Sequence, residues 1–89
     1  MYAELVDFLD KAMLDCQRVE FLLLNGEKFS AVPGNVEIME DDDGEEYMGC
    51  FLSKPEGRPY ASVPFSGIVS VRRLDDHAKI VLVPGAKAA

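Results

Sequence analysis

Val19-Glu20-Phe21-Leu22-Leu23-Leu24-Asn25-Gly26-Glu27-Lys28-Phe29-Ser30-Ala31-Val32 is a pair of apolar runs separated by Asn-Gly. That dipeptide between two such runs is the strongest short-range hairpin signal a sequence carries. Side chains alternate along a strand, so the loop length decides which of them share a face. A two-residue turn pairs Leu22 with Phe29 and leaves Phe21 opposite Ser30. A three-residue loop, with Gly26 supplying the positive φ of a bulge, pairs Leu23 with Phe29 and Phe21 with Ala31. The second register gathers Val19, Phe21, Leu23, Phe29 and Ala31 on one core face and is preferred. It leaves Leu22 and Leu24 on the opposite face, where they need cover from a helix or a neighbouring subunit.

Upstream, residues 3–16 read as a helix. Leu5, Phe8, Leu9, Ala12, Met13 and Cys16 recur at spacings of three and four and stack on one face. Glu4, Asp7, Asp10, Lys11 and Asp15 take the other, with Asp7 and Lys11 at the i,i+4 spacing of an ion pair. A helix this short is marginal alone, so its stripe must cover something apolar.

Downstream, Pro33-Gly34-Asn35 marks a turn or bend, and residues 36–39 a short strand. Glu40-Asp41-Asp42-Asp43-Gly44-Glu45-Glu46 makes an exposed acidic loop. Residues 47–52 return as a strand, with Gly49 where a curled sheet bends or bulges. Lys54-Pro55-Glu56-Gly57 carries the type I turn signature. Strands over 60–65, 68–74 and 78–83 follow, divided by a Ser66-Gly67 corner and an Asp75-Asp76-His77 turn. Pro64 lacks a ladder donor and belongs at a strand end or an edge. Residues 85–89 read as a loose tail, which leaves one domain over 1–84. The expected fold is mainly β: one N-terminal helix and five to six short strands in a small, strongly bent antiparallel barrel, since closure removes exposed edges.

With 89 residues there is room for one modest core, and self-association would add to its stability. Sixteen acids against nine bases give a net charge of −7. Nucleic-acid binding depends on neutralising phosphates, so this balance opposes naked RNA or DNA and suits a basic protein partner. It is equally the charge that keeps a small domain soluble. No run approaches the ~18 apolar residues of a membrane span. The N-terminus has acids where a signal peptide has bases, so a cytoplasmic protein is expected.

Cys16, Cys50 and the lone His77 lack zinc-site spacing. Both cysteines read as reduced core residues, with a disulfide between them as the alternative. His77 falls in a turn, no phosphate loop or serine motif is present, and no catalytic residue, metal site or cofactor is expected. In the acidic loop the acids are consecutive, unlike the alternating ligands of a calcium loop. A solvated loop, a docking patch for a basic partner and a weak divalent-ion site remain the three readings. Arg72 and Arg73, with Lys54 and Arg58, are the one candidate basic spot for RNA contact. Arg72 and Arg73 are adjacent on a strand and point to opposite faces, so those two do not make one patch and RNA is the minor reading.

A leading helix, a strand ending in Asn25-Gly26 and the strand-corner-strand Val63-Pro64-Phe65-Ser66-Gly67-Ile68-Val69-Ser70-Val71 resemble the Sm-like barrel superfamily, which includes the Hfq and Lsm ring proteins. Over almost the whole chain the sequence is also similar to the Rho-binding antiterminator (Rof-like) family. Cys16-Gln17 at the helix end, Asn25-Gly26-Glu27-Lys28 in the hairpin and the final Ile80-Val81-Leu82-Val83 carry that likeness. The resemblance implies an Sm-like or SH3-like barrel that acts in RNA metabolism or transcription by binding macromolecules. It does not extend to the uridine pocket. Glu37 and Asp41 stand near where ring proteins have an Asp and an Asn, Phe65-Ser66-Gly67 lacks a basic residue, and Ala31 replaces a strand glycine.

In Sm-like rings the fourth strand of one subunit pairs with the fifth of the next, a head-to-tail contact that closes on itself. The resemblance thus implies a homo-oligomer interface supplied by Val63, Phe65, Val69 and Val71, with Leu22 and Leu24 as further apolar surface. The alternative for these residues is the monomer's own core. In the Rof-like family an acidic surface is implied to engage the Rho hexamer, which points to Asp10, Asp15, Glu40, Asp41, Asp42, Asp43, Glu45 and Glu46. A self-assembling interaction module and an acidic monomeric inhibitor of the Rho-antagonist type are the two functional expectations.

Overall fold

The β1–β2 hairpin sets the frame of the computed structural model, which describes residues 2–57 and 60–83. Arg58, the domain's expected end at residue 84 and the expected tail over 85–89 lie outside the described residues. Along the chain run α1 (Ala3–Leu14), β1 (Val19–Leu23), β2 (Lys28–Glu40), β3 (Glu46–Glu56) and β4 (Ser62–Pro64). A 3-10 turn (Phe65–Gly67), β5 (Ile68–Arg73) and β6 (Lys79–Val81) follow.

The hairpin loop has three residues, as the preferred register requires, but it is Leu24-Asn25-Gly26. The Leu23 N–H donates to the Glu27 carbonyl at 2.9 Å and the Gly26 N–H to the Leu23 carbonyl at 3.0 Å. Gly26 has φ 87°, a conformation that side-chain-bearing residues rarely adopt. The Asn25 side chain accepts the Glu27 N–H at 2.9 Å. Pairing therefore joins Phe21 to Phe29 and Val19 to Ala31, displaced by two positions from the expected pairs. A slip of two keeps each side chain on its own face. Val19, Phe21, Leu23, Phe29 and Ala31 are all buried in the core.

Several expected boundaries move. Pro33-Gly34-Asn35 does not reverse the chain: β2 continues through it, with register shifts between Ser30 and Val32 and between Pro33 and Val36. Bulges bend a strand without ending it, and they tolerate a residue that cannot donate. Lys54-Pro55-Glu56 is likewise absorbed into β3, where Lys54 takes φ 51°. Conversely β4 spans only Ser62–Pro64, because Phe65 already begins the 3-10 corner.

Among the described residues six strands form one antiparallel sheet in the order β4-β3-β2-β1-β5-β6. Strands β4 and β6 are its two edges, so the sheet is not closed into a barrel. Pro64 ends the edge strand β4, where its missing N–H costs no ladder bond.

Helix α1 buries Leu5, Phe8, Leu9 and Ala12 in the same cluster as Val19, Phe21, Phe29 and Ala31. Burying each large side chain contributes roughly 1.5–3 kcal/mol, which is what holds so short a helix. The helix thus covers the Phe21 face, and the expectation that it shelters Leu22 and Leu24 is not met. Leu22 is half-buried outside that cluster, and Leu24 is 52% exposed. The helix also stops at Leu14. The Gln17 N–H donates to the Ala12 carbonyl (2.8 Å) and the Cys16 N–H to Met13 (3.1 Å), which is a Schellman C-cap with Cys16 left-handed at φ 52°. Cys16 therefore leaves the helix face and is exposed, whereas Cys50 is buried as expected; both thiols are free. Among the described residues no helix is long and apolar enough to cross a membrane.

Candidate functional site

The acids named from the sequence fall in two places. Glu40 and Glu46 face each other at the end of the β2–β3 hairpin, and Asp41 to Glu45 form its tip. Asp41 organises that tip: its Oδ1 accepts the N–H groups of Asp43 and Glu45, each at 2.9 Å. The Asp41 N–H donates to the Glu45 carbonyl and the Gly44 N–H to the Asp41 carbonyl, both at 3.0 Å. Gly44 supplies the positive φ, 81°. Asp42, Asp43, Glu45 and Glu46 are left pointing their charge at water. Below the tip, Ile38 pairs with Met48 across the hairpin, and Ile38 is 66% exposed. No group of three or more potential metal-ligating side chains is assembled among the described residues.

Asp10 and Asp15 belong to α1 and its cap. Asp15 is the C-cap residue and is exposed. Asp10 is half-buried and joins Glu4 and Asp7 on the rim of an open cleft of about 610 Å³ between α1 and the β5–β6 end of the sheet. Phe8, Leu14 and Ile80 supply its apolar lining, and Lys11 and Arg73 its cations. Arg73 is already engaged. Its Nε and Nη2 donate to Asp76 at 3.1 and 2.8 Å, and its guanidinium lies 5.2 Å from the centre of the Phe8 ring. The Asp7–Lys11 ion pair expected from spacing is not closed, and Glu4, Asp7 and Asp10 have no ion-pair partner among the described residues.

The side chains named for an oligomer interface have other neighbours. Val63, Phe65 and Val71 fill this chain's own core, and Val69 is buried as well. Leu24 lines a second cleft with Tyr60, Pro64 and Gly67. Arg72 and Arg73 do diverge: Arg72 Nη2 meets Glu20 at 3.2 Å across β1–β5, away from the Arg73–Asp76 pair.

The thiols and the imidazole stay apart. The Cys50 thiol donates to the Phe51 carbonyl at 3.1 Å and sits 3.7 Å from that of Gly34. Burial pushes its pKa up to about 11; the Gly34 hydrogen bond opposes this, and the Asp10 charge adds to it. A thiol so protonated at neutral pH is a poor nucleophile. His77, at φ 62° in the β5–β6 turn, places Nδ1 3.1 Å from Arg72 Nη1.

No family model matches the chain, and no curated protein or solved structure matches it significantly. The cleft along α1 is the feature sequence reading did not assemble. Its signal was present in part: Glu4, Asp7, Lys11 and Leu14 recur on the polar side of the helix, and Leu14 there is 77% exposed.

Proposed function

We propose that the chain is a non-catalytic protein-interaction module of Sm-like type, acting as an acidic monomer on a basic protein partner in RNA metabolism or transcription. The observation that carries this reading is the place of β6. Ser70, Val71 and Arg72 of β5 pair with Val81, Ile80 and Lys79, and the other side of β5 pairs with β1. The ring contact of Sm-like proteins needs a fifth strand with a free edge; here both edges are taken. The leading helix, the Asn-Gly hairpin and the strand-corner-strand over residues 62–73 support the Sm-like part of the reading, with the barrel left open between β4 and β6. Acids on α1 and at the β2–β3 tip that have no ion-pair partner among the described residues support a cationic partner, and the same charge opposes phosphate.

Light scattering tests the oligomeric half. A mass near 9.8 kDa is expected, and a mass several times larger restores the self-assembling reading, which the exposed Leu24 favours. Titration with uridine-rich RNA tests the other half. No binding is expected even at low salt, and an affinity that falls steeply with salt overturns the choice of a protein partner.

A further inference from the structure

We infer that the cleft between α1 and the β5–β6 end of the sheet docks a peptide segment of a partner protein in which an apolar residue is flanked by lysines or arginines. This rests on the protein-binding reading above and gives it a location. Two properties of the cleft select that occupant.

The first is charge. Glu4, Asp7 and Asp10 stand on the rim without ion-pair partners among the described residues, while Arg73 is neutralised by Asp76 at 2.8 Å. Among the described residues Lys11 alone opposes three carboxylates, so the rim attracts cations. The second is the lining. Phe8 is held under the Arg73 guanidinium, Ile80 is half-buried against the core, and Leu14 projects almost freely into solvent. An acidic rim around an apolar floor rejects a purely polar cation as well as a purely greasy segment. A segment with both satisfies each part, its long basic side chains lying along the apolar surface with their heads on the acids. At about 610 Å³ the cleft has the size of an ordinary ligand site.

The probe is a short synthetic peptide with two leucines flanked by lysines, titrated into the isotopically labelled chain. Amide shifts are expected at residues 4–14 and 73–80. Leu14→Ala, at an exposed position, should weaken binding about fivefold. Glu4→Gln with Asp7→Asn should weaken it about tenfold at low salt and less at high salt. A leucine-free lysine peptide that binds equally well, or shifts centred on Asp41 to Glu45, overturns the cleft while leaving a protein-binding acidic surface in place. Shifts at the cleft that appear on concentrating the chain alone assign it to a second copy and likewise overturn the proposal. Absence of any shift with either peptide overturns both the cleft and the acidic-module reading.

Discussion

The rings of Phe21 and Phe29 stack across the β1–β2 hairpin with centroids 4.9 Å apart and planes 7° from parallel. They are direct cross-strand partners, and both are buried in the main core to which α1 contributes. Phe29 lies on β2, the strand against which α1 packs, so its ring is enclosed by Phe21 and by the helix side of the core. Phe29→Ala is expected to cost about 3–5 kcal/mol by lost transfer and cavity formation. In a domain of this size that approaches the whole stability. Urea unfolding checks it, and Phe29→Leu should recover more than half of the loss.

Cys16 caps α1 in the left-handed region, where its Cβ is crowded by backbone and glycine is not. Its thiol is exposed, so removing it forfeits no packing. Cys16→Gly is expected to raise stability by about 1 kcal/mol, while Cys16→Val lowers it. The Schellman bonds from Cys16 and Gln17 should persist in the glycine variant, visible as unchanged amide exchange there.

Cys50 makes alkaline stability depend on a thiol. Its folded pKa is about 11, against 9.0 for the free group. The unfolded chain loses the proton first, so the contribution is intact below pH 9 and disappears as pH climbs through 11. The full span is at most about 2–3 kcal/mol for a shift of this size. Thermal melts from pH 8 to 11 should show the decline, and Cys50→Ala should flatten it on a lower baseline. With a thiol reagent at neutral pH, Cys16 should react at once and Cys50 only on unfolding.

The hairpin and its interior were legible because Gly26 is the residue a three-residue loop needs, and because Val19, Phe21 and Leu23 on one side of it and Phe29 and Ala31 on the other keep a spacing of two. The two-position slide was not legible, since partners two residues apart present the same faces and the pattern cannot separate them. Pro33-Gly34-Asn35 gives one signal for two outcomes, a reversal or a bulge. Only the length of β3 beside it decides for the bulge. The spacing that carries α1 to Cys16 is blind to the left-handed cap that ends it. At the tip, the acids could be read directly. The cleft could not, because Ile80 joins Leu14 and Phe8 in one lining only after β6 has folded back along β5.

Asp41 differs in kind from the acids around it. Its carboxylate accepts two backbone N–H groups, whereas Asp42 and Asp43 expose theirs. Asp41→Ala leaves both donors to water and is expected to loosen the tip at a cost of about 1 kcal/mol. An asparagine retains one carbonyl oxygen for the same two donors, so Asp41→Asn should hold the loop. Asp42→Asn and Asp43→Asn should change charge with no structural effect. Amide exchange at Asp43 and Glu45 distinguishes these outcomes: fast exchange in Asp41→Ala alone is the expected result. Equal protection in all four variants would show that Gly44 and the Asp41–Glu45 backbone bond shape the tip without the side chain.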